Sequence, residues 1–164
     1  MTENDESPIG VVVVGVDGSA GANAALRWAV AEARLRKTQV RAVHAWTVGY
    51  TGVVGGGYGY LGGTLDNIPG LTLSDRHAAA ETLLKRATTE LAADAAAEGV
   101  KIERKVVEGG AAEVLVGAVA EGDLLVVGSR GHGGFAGLLL GSVSQQCAHH
   151  APCPVVIVQP LNDH

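Results

Sequence analysis

The chain is short of cysteine, aromatics, cations and long apolar runs, and each shortage removes a class of protein. Two cysteines, Cys147 and Cys153, cannot build a disulfide framework of the secreted kind, so reduced thiols are expected. Lys and Arg number 12 against 17 Asp and Glu spread along the chain, a net charge of −5, which leaves no cationic surface for a nucleic-acid backbone. DNA and RNA are therefore discounted as partners. No apolar run approaches the ~20 residues that span a bilayer. The opening MTENDESP also has neither the basic nor the apolar region of a secretory signal. The expectation is a soluble, cytoplasmic protein with no membrane partner.

What is present is Ala, Val and Leu: the sequence is 47% hydrophobic but only 4% aromatic, a composition suited to helices packed on a sheet of small branched residues. At 164 residues one core suffices, because a chain of this size buries roughly 70% of its unfolded surface. We expect a disordered polar tail over 1–8 and a single domain over 9–160.

Five branched runs read as strands: 9–16, 39–46, 101–107, 123–128 and 154–158. The first and fourth are nearly continuous in Val and Leu, as central parallel strands are, and the third alternates, as an edge does. Helical patterns fill 19–36, 74–98, 111–121 and 142–150. Ala25, Leu26, Ala29, Val30 and Ala33 share one face of the first; Ser74 caps the second and Gly99 stops it. Strand and helix alternate throughout, which predicts a doubly wound α/β fold with right-handed crossovers. Only 47–73, rich in glycine, breaks the rhythm. It reads either as a mobile solvated insertion or as a flap that brings Tyr58 and Tyr60 over a site.

The chemistry concentrates in VVGSRGHGGFAGLLLGSVS, residues 126–144. Gly128-x2-Gly131-x9-Gly141-Ser142 follows a buried strand and precedes a short helix. Such a loop turns successive N–H groups into one concavity, and the helix start adds its positive end, an arrangement that attracts a phosphate chain. Gly128 and Gly131 are read as letting the chain approach a ligand, Gly141 as closing the loop, and Ser142 and Ser144 as adding hydroxyls. The bland reading is a Ser142 cap completed by Gln145 as a capping box. A second piece, Gly15-Val16-Asp17-Gly18-Ser19, closes the first strand; its carboxylate either caps the following helix or accepts hydrogen bonds from a ribose. If both pieces form one site, the ends of strands one and four must be neighbours.

These residues resemble the universal stress protein family, ATP-binding subgroup: the glycine loop matches at every specified position, joined by DGS after strand one, HAW at strand two, DLLVVGSRG, LLLGSVS and CPVVIV. The resemblance implies a three-layer α/β/α fold of the adenine nucleotide alpha hydrolase-like type, with a five-stranded parallel sheet in the order 3-2-1-4-5. It also implies ATP between strands one and four, and homodimers through the last strand, 154–158. It puts Asp17 near the ribose, Val16 and Ala45 near adenine, Val127 at the entrance of the phosphate loop, and Gly128, Gly131, Gly141, Ser142, Val143 and Ser144 around ribose and phosphates. Arg130 and His132 fall at variable loop positions, so phosphate contact there stays open.

Binding rather than fast catalysis is expected. There is no Gly-x4-Gly-Lys, the lysines at 37, 85, 101 and 105 lie away from the loop, and no residue is evident to orient water, so slow ATP hydrolysis or self-phosphorylation is the most it allows. Magnesium is left open, since no carboxylate pair marks the loop. A nucleotide-responsive dimer in stress regulation is the leading reading, and a nucleotide-independent interaction protein of the same fold is the alternative. His44 reads as a satisfied, partly buried histidine. The Cys147–Cys153 segment, with His149 and His150, reads as a metal site or as a plain helix-to-strand junction, and ordinary zinc spacings do not match it.

Overall fold

The computed structural model describes residues 10–47, 70–131 and 140–160. Among these the elements run β1 Val12–Gly15, α1 Ala20–Arg36, β2 Val40–Trp46, α2 Leu73–Ala97, β3 Ile102–Glu108, α3 Ala111–Gly117, β4 Leu124–Gly128, α4 Ser142–His150 and β5 Val155–Val158. The strands form one sheet in the order β3-β2-β1-β4-β5, every pair parallel. The doubly wound expectation holds, and the strand order is the one that the resemblance implies.

The valine run explains why β1 is central. Val12, Val13 and Val14 are all 0% exposed, because their side chains alternate between two covered faces. Val12, Val14, Val40, Ala42, Leu124 and Val126 pack under α1 and α2 with Ala25, Leu26, Ala29, Ala33 and Leu84. On the other face Val13, Val43, Leu125 and Val127 meet Val114, Leu115 and Cys147 of α3 and α4. Each fully buried Val or Leu contributes roughly 1.5–3 kcal/mol, so two such layers are the main hold on the fold. β3 and β5 form the edges. The alternating run of β3 does lie at an edge, and its Glu103 pairs with Arg41 of β2 at 2.8 Å.

Helix ends follow local chemistry, with two corrections to the expected boundaries. α1 is capped by Ser19, whose Oγ accepts from Ala22 N at 3.1 Å. α2 is capped by Thr72, not Ser74, because Thr72 and Asp75 form a reciprocal capping box that places Leu73 already in the helix. Gly99 follows its end at φ +81°, the left-handed conformation glycine permits. α3 stops at Gly117 instead of residue 121: Asp123 accepts from Ala120 N at 2.9 Å and Val11 N at 2.8 Å, tying this stretch into a turn against the start of β1. Residues 48–69, with Tyr58 and Tyr60, and residues 132–139 lie outside the described residues. Among the described residues no helix is long and apolar enough to cross a membrane.

Candidate functional site

β1 and β4 pair directly, with Val14 beside Val126, so the chain leaves both strands at the same edge of the sheet. Asp17 follows β1; its Oδ1 accepts from Ser19 N at 2.9 Å, which leaves capping of α1 to Ser19 itself. A Cβ added at Gly131 would lie 2.6 Å from Asp17 Oδ2. The aspartate and the start of the glycine loop are therefore neighbours, the condition that a two-piece site sets.

The loop's glycines do three different jobs. Gly128 is bare because α1 sits on it: a Cβ there would fall 2.8 Å from Gly21 C and 2.9 Å from Gly21 O, so helix packing rather than ligand approach requires it. Gly21 in turn faces the Arg130 carbonyl, 2.6 Å from where its own Cβ would stand. Gly131 alone opens toward Asp17. Gly141 closes the loop by donating its N–H to Ser129 O at 2.7 Å, and a Cβ there would find Arg130 Cα at 3.4 Å and Ser129 O at 3.5 Å, which is ordinary contact. None of the three adopts a positive φ.

α4 begins without a side-chain cap. Gly141 occupies the cap position and Ser142 is the first helical residue, so the Ser142–Gln145 capping box of the bland reading is absent; Gln145 reaches Leu140 O instead, at 3.3 Å. Ser142, Val143 and Ser144 head a helix whose first N–H groups have no intrahelical acceptor. Ser144 is buried, and its hydroxyl proton is shared between Ser129 O at 3.0 Å and Gly141 O at 2.9 Å; what it offers a ligand is its main-chain N–H. Val127 is likewise buried and paired with Ile157 of β5, so it positions the loop. Arg130 is exposed, and His132 lies outside the described residues. The starts of α1 and α4 thus both converge on Arg130 and Gly131, bringing two positive helix ends to one bend.

On the other flank, β2 runs three residues past its last β1 partner, the Gly15–Val43 pair. Val16 is buried, donates its N–H to Val43 O at 2.9 Å, and its carbonyl accepts from His44 Nδ1 at 2.7 Å. Half-buried Ala45 lies just beyond, packed toward the α3–α4 side. Val16 and Ala45 thus meet at the mouth between β1 and β2 but pack on opposite faces of the sheet.

The family's sequence profile matches residues 8–159 of the chain. The chain belongs to the universal stress protein family. A universal stress protein of Mycobacterium tuberculosis (strain ATCC 25618 / H37Rv) is 34% identical over 148 residues, covering 90% of this chain and 44% of that protein. One of Mycobacterium bovis is 36% identical over 148 residues, with 90% and 45% covered. The chain spans less than half the length of these curated relatives. Among solved structures, UspA from Lactobacillus plantarum superposes with a TM-score of 0.70 at 20% identity, covering 93% of this chain and 99% of that one. A universal stress protein in complex with cAMP has a TM-score of 0.61 at 26% identity, covering 94% and 100%.

Against this universal stress protein frame, a groove of about 680 Å³ between α1 and α2 stands beside the site, lined by Gly18, Asn23, Arg27, Arg86 and Glu90 among others. Among the described residues its lining comes from the exit of β1, α1 and α2, and not from residues 128–131 or 140–144. At the far end of α4, Cys147 and Cys153 pack in the core layer, and no group of three His, Cys, Asp or Glu converges among the described residues. Sequence reasoning missed Ser129, which anchors both arms of the loop, and Gly21. The one signal for Gly21 is a glycine in the first turn of an otherwise alanine-rich helix, where propensity disfavours it.

Proposed function

We propose that the protein binds an adenine nucleotide, ATP in the first instance, at the bend where β4 gives way to its loop, and that it works as a nucleotide-responsive regulator rather than a fast enzyme. The meeting of Asp17 with Gly131 carries this reading. It sets a ribose-seeking carboxylate beside main-chain donors and two helix starts that favour polyphosphate. In this reading Gly131, Ser142, Val143 and Ser144 hold phosphate through N–H groups, Gly141 closes the loop behind them through its bond to Ser129 O, Arg130 adds charge from an exposed position, and Asp17 takes the ribose hydroxyls. The cAMP complex of a relative 26% identical supports the ligand class. Lys37, at the C-cap of α1, and Lys85, Lys101 and Lys105, on α2 or at β3, stand on other elements than the loop, which favours binding over phosphoryl transfer.

Ala45 supports the base assignment. In parallel pairing the N–H and C=O of alternate residues point to the same neighbour. Val40 N bonds Lys101 O toward β3 and Val43 O bonds Val16 N toward β1, so the Ala45 main chain faces the β1 side, where β1 has already left the sheet. A donor and an acceptor side by side suit the N1 and N6 edge of adenine. A cytoplasmic homodimer joined through β5 completes the proposal, with magnesium as a variable.

A thermal melt tests it: a ligand held at about 100 times its dissociation constant stabilises the folded form by about 2.7 kcal/mol. A clear upward shift with millimolar ATP, with or without magnesium, is the expected result. No shift, together with no nucleotide in mass spectra of freshly purified protein, overturns the proposal.

A further inference from the structure

Resting on that reading, we infer that His44 is a positioning residue for base recognition: by taking the Val16 carbonyl out of the β1–β2 ladder it leaves the Ala45 amide free to read adenine. The observation is a substitution of partners. Had the ladder continued, Val16 O would accept the Ala45 N–H, the next bond after Val16 N to Val43 O. Instead Val16 O lies 2.7 Å from His44 Nδ1. A carbonyl only accepts, so Nδ1 carries the proton. Among the described residues no main-chain acceptor takes the Ala45 N–H, and Ala45 is half-buried at the mouth of the site.

His44 is itself 7% exposed and comes from the same strand as Ala45, one residue before it, so its side chain and its neighbour's amide approach the end of β1 together. The single bond does two things. It satisfies a carbonyl at the point where β1 turns away toward Asp17, fixing the exit of that chain. It also keeps the ladder from closing over the amide that meets the base. Guanine presents a donor at N1 and an acceptor at O6, the reverse of adenine, so a free amide beside a carbonyl discriminates between them.

The test has two arms. In the ligand-free protein, hydrogen exchange at the Ala45 amide should be at least roughly tenfold faster than at Val43, and in His44→Leu it should slow as Val16 O returns to the ladder. Equal protection of Ala45 and Val43 in the unsubstituted protein overturns the inference whatever the ligand. In the binding arm, His44→Leu should reduce the ratio of ATP to GTP affinity by about tenfold while leaving tripolyphosphate affinity unchanged. His44→Asn, whose Nδ2 can stand in for Nδ1, should restore the ratio, and His44→Gln, which places its donor at the other ring position, should restore less. A residue with a merely structural role would lower ATP, GTP and tripolyphosphate affinity together, and an unchanged ATP to GTP ratio in a folded His44→Leu protein also sinks the inference. If the unsubstituted protein binds no adenine nucleotide, the function proposed above fails while the exchange arm still decides the role of His44.

Discussion

Asp17 and Gly131 compete for the same space: the Asp17 Oδ2 lies 2.6 Å from the point a Cβ at position 131 would occupy. The obstacle is the end of a side chain, whereas at Gly128 it is the Gly21 backbone at 2.8 Å, and at Gly141 there is only contact at 3.4 Å or beyond. This ordering distinguishes three alanine substitutions that sequence alone would treat alike.

Gly131→Ala should keep the fold, because the carboxylate can swing aside, but should weaken nucleotide binding roughly tenfold by displacing it from the ribose. Gly128→Ala should cost about 1–3 kcal/mol of stability, since α1 must lift off β4. Gly141→Ala should change stability and affinity least of the three. Denaturant melts beside nucleotide titrations check the order; Gly128→Ala melting like the unsubstituted protein would contradict the packing of α1 on β4.

The thiols should behave as buried ones. Desolvation first, and then the neighbouring Cys153, pushes Cys147 up to about 11, and Cys153 is raised as well, chiefly by burial. Cys147 is also 0% exposed. In native protein at pH 8 a thiol reagent should modify Cys147 far more slowly than Cys153, and both should react at once in denaturant. Because the folded value exceeds the unfolded value of 9.0, the contribution of Cys147 to stability is complete below pH 9 and is lost as pH rises toward 11. Cys147→Ala should remove that alkaline slope, at some cost in packing.

Acid should act through two carboxylates. Asp75 is lowered from 3.8, first by the Thr72 N–H and then by the Thr72 hydroxyl, and Glu103 is lowered from 4.5, first by its hydrogen bond from Arg41. Both folded values lie below the unfolded ones, so their contribution is present above those unfolded values and disappears as pH falls through the folded ones. Thermal midpoints should be insensitive to these two groups from neutrality to about pH 5 and then fall. Asp75→Asn and Glu103→Gln should each flatten the acid limb; Asp75→Asn should also fray the start of α2, visible in helical circular dichroism.

Much of this was legible in the residues, and the exceptions share a cause. A period-two alternation, a valine run and a strand-loop-helix glycine pattern are local, so the layers, the edge position of β3 and the 142–150 helix could be read directly; the nearness of Asp17 to the loop entered only as a condition on a two-piece site, and the strand order behind it came from the family resemblance. What could not be read was which atom fills the space a glycine leaves. Gly128, taken as an approach to ligand, serves the Gly21 backbone instead, a contact made across more than a hundred residues. Ser144 looked like a ligand hydroxyl, and its proton goes to Ser129 O and Gly141 O. Thr72 displaced Ser74 as a cap because the reciprocal bond with Asp75 outweighs the intrinsic preference for serine.

The proposed dimer gives the last prediction. β5 bonds β4 through Pro154 O and Val158 O, which accept from Leu125 N and Ser129 N, so by alternation Val155 and Ile157 turn their main-chain groups to the open edge. An edge with regular unpaired N–H groups is a template for another chain, and the β5 residues are all half-buried rather than charged. Ile157→Pro removes one outward donor without touching a bond to β4. If two copies pair along β5, light scattering should report a dimer for the unsubstituted chain and a shift toward monomer for Ile157→Pro, by about tenfold or more in the dissociation constant. The proposed nucleotide site lies at the strand ends rather than along this edge, so monomeric Ile157→Pro should still bind nucleotide. Loss of nucleotide binding in a folded monomer would mean that the site needs a second copy, and a dimer unaffected by the proline would move the interface elsewhere on the surface.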